Sequence, residues 1–61
     1  MTHHSAPDQR TILLVEDEQH IRQFLRAALH TENYTVSEAD SVARALQQAA
    51  AQPPALVILD L

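Results

Sequence analysis

The sequence predicts an α/β unit that runs strand, helix, strand, helix, strand, with the strands parallel. Two apolar runs, Ile12-Leu13-Leu14-Val15 and Leu56-Val57-Ile58-Leu59, are each bounded by polar residues and read as strands buried on both faces. Between them lie two stretches whose apolar positions recur at helical spacing. Right-handed crossovers then join the strands in parallel.

Each element follows in order. Residues 1–10 are polar, carry Pro7 and lack apolar periodicity, so they are expected to form a disordered lead-in, with His3 and His4 solvated. Residues 11–15 make the first strand. From Gln19 to Thr31, the apolar positions Ile21, Phe24, Leu25, Ala28 and Leu29 define one helix face, and Arg22, Gln23 and Arg26 fall on the polar side. Phe24 and its neighbouring leucines are expected in the core. Glu18 suits the helix N-terminus and His30 its C-terminal end, while His20 is expected at the surface. Asn33 follows as a left-handed terminator. Residues 34–39 alternate, with Tyr34, Val36 and Glu38 on one side, and the mixed composition suits an edge strand. Asp40 and Ser41 are both suitable caps for a second helix, whose apolar face is Val42, Ala45, Leu46 and Ala49. Pro53-Pro54 ends that helix near Ala51, and the third strand begins at Ala55 or Leu56 and ends at Asp60.

Composition narrows the function. Sixty-one residues allow one small domain, and the absence of cysteine removes any disulfide or thiolate-metal site. A net charge of −4 disfavours a nucleic-acid-binding surface in this segment. No apolar run approaches the ~20 residues of a membrane span, and residues 1–10 lack a signal-peptide core, so a cytoplasmic location is expected. The sequence has no glycine, which rules out a P-loop or a G-x-G-x-x-G fingerprint here, and no lysine.

What remains is acid at the strand ends. The first run leads into Glu16-Asp17-Glu18 and the last into Asp60. In open α/β sheets the site lies beyond the carboxyl ends of the strands. Neighbouring parallel strands would bring Glu16, Asp17 and Asp60 to one edge, where like charges call for a hard divalent cation such as Mg²⁺. Glu18 reads instead as a helix N-terminal charge or a solvated turn residue.

Leu13-Leu14-Val15-Glu16-Asp17-Glu18, an amphipathic helix, Tyr34-Thr35-Val36-Ser37-Glu38-Ala39, Ala45-Leu46 and Val57-Ile58-Leu59-Asp60-Leu61 together resemble the first half of a bacterial response-regulator receiver domain. The resemblance covers residues 11–61 and is nearest to regulators with a C-terminal winged-helix DNA-binding domain. It implies a truncated flavodoxin-like fold, a three-layer unit with strand order 2-1-3 and one helix on each face of the sheet. Asp60 then corresponds to the phosphoacceptor, and Glu16 and Asp17 to the acid pair that positions Mg²⁺, Asp17 more directly and Glu16 through water. The implied phosphodonor is a sensor histidine kinase, and DNA would be contacted only through a downstream domain. The sequence departs from the family at Asn33 and Ser41, where glycine is common, and at Ala55, where an acid is common. The family's hydroxyl residue, its lysine and the carbonyl completing the metal shell all fall past Leu61. The isolated chain is therefore expected to be inactive, and to self-associate or dimerise through the open edge of its third strand.

The function expected is thus a signalling phosphoacceptor and not an enzyme. A Mg²⁺-dependent phosphohydrolase is the enzymatic alternative, but it calls for an acid two residues after its nucleophile, and Gln19 stands two residues after Asp17. The structural alternative is a truncation product without activity, folded only by self-association.

Overall fold

The computed structural model describes residues 10–60. Its elements are β1 (Thr11–Glu16), α1 (Gln19–Thr31), β2 (Thr35–Ala39), α2 (Val42–Ala51) and β3 (Leu56–Asp60). The three strands form one parallel sheet in the order β2-β1-β3. This is the α/β architecture and the 2-1-3 order expected from the sequence. Most of the lead-in assigned to residues 1–10 lies outside the described residues. Arg10 does not: its carbonyl accepts from the Thr35 amide at 2.8 Å, so hydrogen bonding toward β2 begins one residue before the first paired position, Thr11. Its guanidinium donates to the Asn33 and Glu32 carbonyls and lies 5.2 Å over the Tyr34 ring.

The joints follow local chemistry. The Glu18 carboxylate accepts from the Ile21 amide at 2.7 Å and caps α1. Ser41, rather than Asp40, caps α2, its hydroxyl accepting from the Arg44 amide. Asn33 has φ 69°, the left-handed conformation that lets the chain leave α1 and enter β2.

The core is centred on β1, whose residues Ile12 to Val15 are all buried. Side chains alternate across the sheet. Leu13, Val15 and Ala39 pack with Ala45 and Ala49 of α2. Ile12 and Leu14 therefore face the α1 side, as does Glu38, which pairs with Leu14 in register.

Three expectations about burial change. Phe24 is 71% exposed and is not core; Ile21 is exposed as well, and α1 turns Arg22, Leu25 and Leu29 toward the sheet. On α2, Ala45 and Ala49 face inward, while Val42 and Leu46 are exposed. The third strand is not buried on both faces: Leu56, Val57 and Leu59 are exposed. All three differences share one cause. Both helices pack on β1 and β2, and among the described residues neither contacts β3.

Candidate functional site

The carboxyl ends of β1 and β3 meet in register, with Glu16 opposite Asp60. This pairing follows from two apolar runs that lead into acid after the same number of ladder steps. β1 runs one residue further than expected, because Glu16 itself completes the ladder with Asp60. The three acids singled out by sequence have different surroundings there.

Glu16 is buried, and its Oε2 accepts the Glu18 amide at 2.8 Å. A side-chain oxygen withdrawn from water needs a donor in its place, and this backbone N–H supplies one. One of its two oxygens is thereby committed to holding the turn. Asp17 and Asp60 are exposed, and neither carboxylate accepts a hydrogen bond or forms an ion pair with another described residue. Glu18 spends its carboxylate on the helix cap and lies within 3.6 Å of His20 Nδ1.

The acids thus share one end of the sheet. Among the described residues, no group of three or more His, Asp or Glu side chains is drawn together as a metal cluster. The donor set at this edge is carboxylate oxygen, the chemistry hard divalent cations prefer. The two exposed aspartates keep all their lone pairs for a ligand, whereas Glu16 has one oxygen already engaged. In donor type, though not as a preformed cluster, these residues suit Mg²⁺.

Three residues near the site, Arg22, Arg26 and Glu38, were not singled out by sequence as functional. Arg22 does not sit on an outer polar face; its side chain is 19% exposed and reaches back to the end of β1. There its Nη1–H donates to the Glu16 carbonyl at 2.9 Å, and its Nε–H to Glu38 Oε1 at 3.2 Å. Arg26 Nε lies 2.8 Å from the other Glu38 oxygen. The signal was available. Glu38 shares the inward face of its strand with Val36, and an inward acid requires a cation, which the spacing of Arg22 and Arg26 on one helix supplies.

Comparison with known proteins gives two results. The family model for the response regulator receiver domain matches residues 12–61. The chain is also 52% identical over 50 residues to the KDP operon transcriptional regulatory protein KdpE of Escherichia coli (strain K12). The aligned region makes up 82% of this chain and 22% of that protein, so the chain spans about a fifth of the relative it matches.

Proposed function

The chain belongs to the response-regulator receiver family, and from that membership we propose that Asp60 is its phosphoacceptor, with Asp17 and Glu16 as the acid pair beside it. The observation that carries this reading is the register that sets Asp60 opposite Glu16 at the carboxyl end of the sheet, with the Asp60 carboxylate exposed. An Asp60 oxygen attacks the phosphorus of a phosphohistidine on a sensor histidine kinase. A P–O bond forms, the P–N bond breaks, and the electron pair leaves with the imidazole, giving an aspartyl phosphate. Exposure of Asp60 is what such a transfer requires, since the donor belongs to another protein.

Three carboxylates near one phosphoryl group repel it; Asp17 and Asp60, with Glu16 through water, would hold Mg²⁺, which would supply the compensating charge. Asp17 is suited to direct contact because its carboxylate has no competing partner among the described residues. Glu16 is suited to an outer role because the Glu18 amide already occupies one of its oxygens. Glu18 is engaged as the helix cap. A phosphohydrolase calls for an acid two residues after its nucleophile, and the residue two after Asp17 is Gln19, which weighs against that reading. The segment acts as a signalling phosphoacceptor and not as an enzyme.

In a complete regulator of this kind, phosphorylation shifts the population toward a form that dimerises and drives DNA binding through a downstream domain. A cytoplasmic location fits that role, and no helix among the described residues is long and apolar enough to cross a membrane. The test is labelling by a small phosphodonor in a chain extended through the remaining receiver strands. Acid-labile, Mg²⁺-dependent label is expected, and Asp60→Asn abolishes it. Label that persists in Asp60→Asn would overturn the assignment. The 61-residue chain itself is expected to label ~10²-fold more slowly, since it contains no lysine to meet the phosphoryl oxygens.

A further inference from the structure

The turn that carries Asp17 is closed by a circuit of four hydrogen bonds. Glu16 Oε2 accepts from the Glu18 amide, Glu18 Oε2 accepts from the Ile21 amide, and the Glu18 carbonyl accepts from the Arg22 amide at 3.0 Å. The Arg22 Nη1–H then returns to the Glu16 carbonyl. Asp17 lies inside this circuit, and its carboxylate takes no part in it.

We propose that Arg22, clamped by Glu38, is the positioning residue of the acid pair: it fixes the Glu16 carbonyl and so sets where Asp17 is held beside Asp60. The proposal rests on the phosphoacceptor reading for its functional meaning, but the circuit itself does not.

The chemistry of the guanidinium carries the argument. Its planar fork bridges two acceptors at once, the last carbonyl of β1 and the Glu38 carboxylate on β2. Glu38 is immobilised in turn, because Arg26 holds its second oxygen and its strand is paired with β1. With its side chain mostly buried, Arg22 is less screened than a surface cation. The pairing thus transmits the fixed position of β2 to the point where β1 leaves the sheet. A lysine ammonium has the same charge but no rigid fork, so it cannot hold both acceptors in the same geometry.

The test uses the 61-residue chain with Mg²⁺ alone as the probe. Amide shifts of residues 16–18 and 60 report binding, and hydrogen exchange of the Glu18 amide reports the circuit. In Arg22→Lys and in Glu38→Gln, Mg²⁺ affinity is expected to fall ~10-fold, the size usual for losing an outer partner of a metal ligand. Exchange at Glu18 should accelerate ~10-fold in both, with the Leu25 and Leu29 amides within about twofold of the parent. Combining the two substitutions should add no more than about twofold, because they break the same link. Glu38→Gln keeps the test valid if Arg22→Lys fails to fold.

An unchanged Glu18 amide in the variants overturns the proposal, even if Mg²⁺ weakens, since the effect would then be electrostatic. Acceleration spread evenly along α1 overturns it too, since Arg22 would then merely dock the helix. If the parent shows no selective Mg²⁺ response but Glu18 accelerates alone, the positioning role stands and the metal reading fails.

Discussion

Leu14→Ala should unfold the chain, whereas Phe24→Ala should barely change it. Leu14 is 0% exposed, on the central strand, with Glu38 and Ile58 beside it in the ladder. Removing a fully buried leucine side chain costs ~3–5 kcal/mol, the lost transfer energy plus the cavity left behind. A core of this size rarely supplies more than ~3–5 kcal/mol in total, so the substitution removes most or all of the stability. Phe24 is 71% exposed. Its buried remainder is roughly 50 Å², worth about 1 kcal/mol as an upper bound. Urea unfolding followed by far-ultraviolet circular dichroism compares the two variants with the parent. If Phe24→Ala costs as much as Leu14→Ala, the ring is in the core after all and the orientation of α1 is wrong. If Leu14→Ala stays within about 1 kcal/mol of the parent, β1 is not the centre of the fold.

Three further outcomes follow from the same contacts. Asn33→Ala should destabilise by about 1 kcal/mol, because φ 69° disfavours a Cβ without a compensating side-chain hydrogen bond, while Asn33→Gly should be tolerated; thermal unfolding of the pair separates backbone strain from side-chain loss. Arg10→Ala should cost about 0.5–1 kcal/mol through the uncapped end of α1 and the lost contact with Tyr34, read from the same melts, with the largest amide shifts at residues 32–34. The 61-residue chain should self-associate through β3, whose outer edge is unpaired among the described residues and whose Leu59 is 62% exposed; Leu59→Lys should shift sedimentation toward monomer, and a parent already monomeric at high concentration refutes the edge argument.

Much of the fold was legible because local chemistry decides it. The bounds of α1 and α2, the left-handed Asn33 and the choice of cap for α2 between Asp40 and Ser41 each depend on residues within one or two turns. Which apolar positions meet the sheet was not legible. Helical periodicity marks a stripe, and here each stripe is wider than the contact. Leu25 and Leu29 face the sheet while Ile21 and Phe24 do not, and α2 makes the same choice of Ala45 and Ala49 over Val42 and Leu46. The selection is made by where the crossovers set the helices, over β1 and β2 and away from β3.

The candidate site divides along the same line. Its backbone frame, acid at two strand ends in register, is written in the apolar runs and the acids that follow them. The commitments of its side chains are not. Glu16 is occupied by an amide two residues on, and Arg22 by a carboxylate 16 residues away, a contact that exists only once α1 lies across β1 and β2. The residue pattern alone ranks Glu16 and Asp17 as equals, and only the family resemblance puts Asp17 ahead; the fold adds a physical reason, since the buried acid holds the turn and the exposed one is left to meet a ligand. The difference arises from burial, since a carboxylate withdrawn from water must take a protein donor and an exposed one need not. Metal binding at this edge should accordingly depend more steeply on Asp17 than on Glu16. Asp17→Asn should abolish the Mg²⁺ response, while Glu16→Gln, which preserves an acceptor for the Glu18 amide, should weaken it only ~10-fold. Equal losses in the two variants, by amide-shift titration, would show that the division drawn from burial is wrong.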